Sequence, residues 1–149
     1  MGVAVHEKPA IRRSASRDAP VLAELSGELG YPAEPGEIER RLAALPPDDD
    51  VWVATIEGVV VGWIHCSLRR TLVVEPHIEI LGNVVGERWQ GRGVGRALMA
   101  QAERSADERG VSVVRLRSGS HRDGAHAFYR AVGYREQKTQ RVFVREIDR

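Results

Sequence analysis

A chain of 149 residues with a single cysteine cannot staple itself, and Cys66 lies in the apolar run 59–66, where a small buried residue is expected rather than a reactive thiol. Aromatic residues make up only 5%, too few for the stacking platforms interleaved with basic residues that grip single-stranded nucleic acid. Neither sign of charge dominates: 22 basic against 21 acidic residues leave a net charge of +1, which argues against a polyanion as general partner. No apolar run approaches the roughly 18 residues of a membrane span. The acidic run 48–50 has no further ligands placed near it by the sequence, so a solvated loop is expected and no metal site. These absences leave one soluble, cytoplasmic domain over residues 10–147, preceded by a tail over 1–9, with no nucleic acid and no membrane as partner.

The patterning that remains is rich. Strands are expected over 10–14, 51–56, 59–68, 77–85, 111–117, 134–137 and 141–147. Glu57-Gly58 joins the second and third as a hairpin. Asp18-Ala19-Pro20 reads as the cap and first turn of a helix carrying Leu22, Leu25 and Leu29, and Gly30 stops it. A second helix is expected over 36–45, a third over 93–109 and a short fourth capped by Asp123. In the strand 77–85, alternation sets Ile78, Ile80 and Val84 on one face and His77, Glu79, Leu81 and Asn83 on the other. Hairpins mixed with strand–helix–strand crossovers imply a mixed α/β sheet covered by helices on both faces.

Between the strand at 77–85 and the third helix lies Gly86-Glu-Arg-Trp-Gln-Gly91-Arg-Gly93-Val-Gly95-Arg96. Each glycine inside a helix costs about 0.8 to 1 kcal/mol relative to alanine, so their concentration asks for a reason. Unpaired N–H groups at a helix start bind anions, and glycines clear the approach. Three templates can be tested. The phosphate loop G-x-x-x-x-G-K-[ST] matches Gly86 and Gly91, but Arg92-Gly93 stands where lysine and a hydroxyl are needed. The dinucleotide turn G-x-G-x-x-G fits Gly91 and Gly93 and then meets Arg96. The pattern Q/R-x-x-G-x-G/A fits Gln90, Gly93 and Gly95 in full.

On this last motif the chain resembles the GCN5-related N-acetyltransferase (GNAT) family. The resemblance extends upstream to Glu79–Val85 (EILGNVV), similar to the family's fourth strand, and downstream to residues 122–134, similar to its A-x-x-F-Y-x-x-x-G-F/Y helix. It implies a GNAT-like fold, a mixed and mostly antiparallel central sheet of about seven strands flanked by about four helices. It implies acetyl-CoA as cosubstrate, its pyrophosphate held on the glycine turn, with Val84, Val85, Gln90, Gly91, Arg92, Gly93, Val94, Gly95 and Arg96, and from the later helix Ala125 and Phe128, as the cofactor-binding residues. The chain departs from the family pattern at Asn83, at Glu87, where proline is frequent, and at Gly119, where asparagine is common.

The chemistry needs a base, because an alkyl amine with a pKa near ~10.4 is almost wholly protonated at neutral pH. Glu79, a carboxylate within an apolar strand, matches the family's acid on strand four; His77 on the same face is the second candidate. The resemblance further implies the Val85 N–H as oxyanion donor and the Tyr129 hydroxyl as the proton source for the departing thiolate. From the residues alone, Tyr129 could equally pack with Phe128 and Tyr134. Arg88, Arg92 and Arg96 add cations around the turn; roles for Arg122 and His126 stay open. The function expected is acetyl transfer from acetyl-CoA to a primary amine, small or peptidic, by direct attack in a ternary complex. A non-catalytic CoA-sensing or protein-binding module on the same fold is the alternative. Edge strands at the C-terminus leave a homodimer open.

Overall fold

A computed structural model describes residues 8–148, so the expected N-terminal tail lies outside the described residues except for its last two positions. The chain divides into two units, one ending at Arg117 and one beginning at Ser118.

The first unit is built on a five-stranded sheet in chain order, β1 (Ala10–Arg13), β2 (Asp49–Ile56), β3 (Val59–Arg69), β4 (His77–Val85) and β5 (Val114–Leu116). Successive pairs are antiparallel until β4 and β5, which run parallel because a helical crossover separates them. The β2–β3 hairpin closes through Glu57 and Gly58 at φ +50° and +78°, the doubly left-handed turn that matches strand twist. Two helices pack on this sheet, α1 (Ala19–Leu29) and α3 (Val94–Arg109), and α2 (Pro35–Ala43) packs against α1. Gly30, at φ +100°, ends α1 where a side chain would be strained. Ile64, Leu98, Met99, Val53, Val61 and Val94 are the largest fully buried side chains. A Cβ on Gly62 would stand 3.3 Å from Val94 and Leu98 of α3, so α3 packs on the face that Gly62 shares with Ile64 and Cys66. A Cβ on Gly86 would stand 3.2 Å from Leu25 of α1. No helix among the described residues is long and apolar enough to cross a membrane.

Three expectations are corrected within this unit. Asp18 does not cap α1 with its side chain; it is buried, accepting hydrogen bonds from Arg12 at 2.8 and 2.9 Å and from the Ala15 N–H at 2.7 Å. The Arg12 guanidinium holds the Asp18 carboxyl below its ordinary value. The run 48–50 is not a solvated loop, since Asp49 and Asp50 open β2. Each of its carboxylates has partners: Asp48 faces Arg70 and Arg109, Asp49 faces His65 and Ser67, and Asp50 faces Arg13 and Arg109. In β4 the alternation slips. Ile80 pairs with Cys66 and Gly82 with His65, which leaves Leu81 as an extra residue, a β-bulge. Beyond it the faces exchange: Asn83 joins Ile78 and Ile80, while Val84 joins Glu79, opposite to the phase a uniform period of two assigns.

The second unit carries α4 (Asp123–Ala131), of which Asp123 is the first helical residue rather than the cap. Gly133 at φ +99° follows its end. Within this unit, residues 134–137 and 141–147 form no strands, so the sheet has five strands and not seven. The β-formers Val142, Phe143, Val144 and Ile147 are exposed. A strand needs a paired neighbour, and Lys138-Thr139-Gln140 lacks the glycine or asparagine that closes a tight hairpin.

Candidate active site

The sheet opens where β5 ends. Pairing between β4 and β5 runs from Ile78–Val114 to Ile80–Leu116, whereas β4 continues to Val85. The Gly86 N–H donates to the Val61 carbonyl at 2.8 Å, toward β3. Successive backbone N–H groups point to opposite edges of a strand, so the Val85 N–H faces the edge that β5 has left. Val84 is buried and Val85 half-buried.

The glycine segment follows at once. A short 3-10 turn over Glu87–Trp89 leads into Gln90, whose side chain reaches back to the Val85 carbonyl at 3.5 Å. The Glu87 N–H donates to Glu28 of α1 at 2.8 Å, which anchors the turn. Gly91 and Gly93 have φ of +79° and +81°, and neither has an atom within 4 Å of the place a Cβ would occupy. Backbone conformation, not crowding by the protein, requires these two glycines; the space over them is open. Gly93 is the N-cap of α3, and its carbonyl accepts from Ala97 at 3.1 Å. The N–H groups of Val94, Gly95 and Arg96 precede that first bond and have no partner within the helix. Arg92 lies over the Trp89 ring at 5.0 Å, and Arg92 and Arg96 are both exposed.

On the same strand stands a buried ionic group. Glu79 is only 5% exposed, and both its oxygens are engaged: Oε2 accepts from Arg117 at 2.7 Å, and Oε1 lies 2.9 Å from His77 Nε2. His77, the second candidate for the base, is 3% exposed, and its Nδ1 lies 3.0 Å from the Glu75 carbonyl. A carbonyl only accepts, so Nδ1 carries a proton. The remaining contact therefore holds one bridging proton, on Nε2 when Glu79 is ionised or on Oε1 when it is not. With both nitrogens occupied, His77 orients Glu79 and has no lone pair open to a substrate.

Arg117 is the residue that sequence reasoning missed. It follows β5, and Arg115 is the register partner of Glu79, so the signal was an arginine-bearing strand parallel to a buried carboxylate. Behind Glu79 the acidic and hydroxyl groups form a row: Glu79 pairs with Ser67 and Ser67 with Asp49, with Ser67 Oγ donating to Asp49 at 2.7 Å.

Of the expected site residues, Glu79 and the positions from Val84 to Arg96 fall within the first unit, on β4 and the turn that continues it. Ala125, Phe128 and Tyr129 fall within the second, on α4, and all are half-buried. There the Tyr129 ring meets Phe128 and Tyr134 edge-on, at centroid distances of 5.5 and 6.4 Å. His126 Nε2 donates to the Gly119 carbonyl at 2.9 Å, tying the preceding loop to α4.

A strand that parts from its parallel neighbour and enters a helix through left-handed glycines sets an open strand edge beside an anion-binding turn. The model of the acetyltransferase (GNAT) family matches residues 11–134, and the chain belongs to that family. It is 30% identical over 139 residues to the aminoglycoside N(6′)-acetyltransferase type 1 of Stenotrophomonas maltophilia, covering 90% of each chain. It is also 30% identical over 104 residues to an uncharacterized N-acetyltransferase of Methanocaldococcus jannaschii, a match that takes in 68% of this chain but only 46% of that one. Among solved structures, an aminoglycoside N-acetyltransferase in complex with CoA superposes with a TM-score of 0.81 at 18% identity, over 97% of this chain and 98% of that one.

Proposed function

We propose that this acetyltransferase moves the acetyl group of acetyl-CoA to a primary amine by direct attack in a ternary complex. The observation that carries the reading is the continuity of β4: a buried carboxylate, a strand edge vacated by β5 and an anion-binding glycine turn follow one another within a single stretch of chain. The named activities of the relatives support the acceptor class, since aminoglycosides are amines.

Acetyl-CoA supplies the thioester. The turn fits its pyrophosphate, because the N–H groups of Val94 to Arg96 lack helical partners, the space above Gly91 and Gly93 is open, and Arg92 and Arg96 add positive charge. Glu79 takes the proton that the attacking amine nitrogen loses as its bond to the acetyl carbon forms. The Val85 N–H donates to the oxygen of the tetrahedral intermediate, a contribution of about 3 kcal/mol for a pre-aimed donor. Collapse of that intermediate breaks the carbon–sulfur bond, and the leaving thiolate takes up a proton, a role that the family resemblance assigns to the Tyr129 hydroxyl.

A second reading, CoA binding without transfer, draws on the same carboxylate: Glu79 already holds two partners and a shared proton. Thiol release from acetyl-CoA with a panel of primary amines separates the two. Turnover that depends on the amine is expected. CoA binding with no amine raising release above background hydrolysis overturns the transferase reading in favour of the sensor.

A further inference from the structure

On the face of the sheet that bears Glu79, a recess of about 280 Å³ opens between the α1–α2 pair and the β4 bulge. Its walls are Leu29, Ile38, Tyr31, Trp63 and Leu81, and Arg41 is the charged residue at its rim. Among the described residues no aspartate or glutamate lines it, although both are abundant elsewhere in the chain. Gly82 is required there, because a Cβ would come within 3.0 Å of the Trp63 ring that lies over it. The Trp63 indole N–H is buried and has no acceptor. Arg41 donates to Glu37 at 3.2 Å, an exposed pair one helical turn apart of the weakly held kind. Arg41, the charged group of the lining, is thus a donor open to a better partner.

We infer that this recess takes the body of the acceptor, and that it selects an amine with an apolar or aromatic side group and a carboxylate that Arg41 pairs with, in preference to a polycation. The inference rests on the transferase reading for its site, and it narrows the substrate class within it. Leu81 and Gly82 lie between Glu79 and Val85 on β4, so a ligand seated against them lies beside the strand that carries the proposed base and oxyanion donor. Apolar walls with few placed polar groups are the usual composition of small-molecule sites. A polycation here would set its charges against Arg41, whose acidic partner, Glu37, lies outside the lining, whereas a guanidinium and a carboxylate pair in two parallel hydrogen bonds. This departs from the aminoglycoside acceptor that the name of the Stenotrophomonas relative suggests.

The test uses three probes: L-phenylalanine, phenethylamine, which differs from it only by the carboxylate, and kanamycin as polycation. Binding is read in the presence of CoA as a fluorescence change of Trp63, with Trp63→Phe as control for the other two tryptophans, and transfer is read as thiol release. L-Phenylalanine should bind at least about tenfold more tightly than phenethylamine, and Arg41→Gln should remove that difference while leaving phenethylamine unchanged. Arg41→Glu should invert the preference. Kanamycin binding more tightly than L-phenylalanine, or a carboxylate preference unaffected by Arg41→Gln, overturns the proposal. Arg41-dependent binding without thiol release upholds the recess and sinks the transferase reading; transfer to kanamycin that ignores Arg41 does the reverse.

Discussion

Replacing Glu79 by glutamine tests the proposed base with little disturbance of its surroundings. The glutamine carbonyl oxygen can accept from Arg117 in place of Oε2, and its amide can donate to His77 Nε2, because the Glu75 carbonyl keeps the His77 proton on Nδ1. Every hydrogen bond at the site is retained, and only the charge and the ability to take a proton are lost. The fold should barely respond: the Arg117 side chain is 66% exposed, so loss of its charge-assisted bond costs at most about 1 kcal/mol. Catalysis should fall by about 100- to 10,000-fold, about 3 to 5 kcal/mol in the barrier. The assay is steady-state thiol release with an accepted amine from about pH 6 to about pH 9, below the ordinary amine pKa, paired with a thermal melt. An unchanged rate across that range, with an unchanged melt, would refute the role of Glu79. Glu79→Ala is the poorer variant, since it strands a buried histidine nitrogen at about 1 to 3 kcal/mol.

Four further outcomes follow from contacts already described. Asp18→Asn should lower stability by about 1 to 3 kcal/mol by weakening the Arg12 hydrogen bonds. Since the folded carboxyl lies below its unfolded value of 3.8, that contribution is present above the unfolded value and is lost as pH falls through the folded one; acid titrations of wild type and variant should therefore converge at the lowest pH. Gly62→Ala sets a methyl 2.8 Å from the Val84 carbonyl and against Val94 and Leu98, and a denaturant melt should report a loss of about 1 to 3 kcal/mol, with no loss contradicting the packing of α3. Gly93→Ala meets no atom, so its cost is the left-handed backbone alone, about 1 to 3 kcal/mol, with a raised KM for acetyl-CoA; an unaltered KM would count against the turn as the cofactor cradle. Burial, aided by the charge of Asp50, pushes the Cys66 thiol up to about 12, so alkylation near pH 8 should be negligible until the protein unfolds.

Much of the fold was legible because local signals and global packing agreed. The hairpin at Glu57-Gly58, the limits of β4 and the glycine entry to α3 are all written in residues whose backbone preferences leave little choice. The family pattern matched in part because Gly93 answers to conformation, which a sequence displays directly. What stayed hidden depends on partners. A bulge leaves no mark in composition, so a steady alternation through Leu81 assigned Asn83 and Val84 to the wrong faces. Arg117 and the burial of His77 emerge only when β5 lies beside β4, thirty or more positions away in the chain. The β-rich C-terminal segment shows the converse, strong propensity without a paired neighbour.

The bulge at Leu81 also separates two kinds of change that most strands force together. Ile80 and Gly82 already face consecutive residues of β3, so Leu81 is surplus to the ladder: substituting it, or removing it, leaves the pairing on either side intact. Its side chain, 43% exposed, belongs to the recess and not to the core. Selection or a designer can therefore vary the wall of the proposed acceptor recess at this position without renegotiating the sheet, and a new preference could evolve there before any compensating mutation was needed.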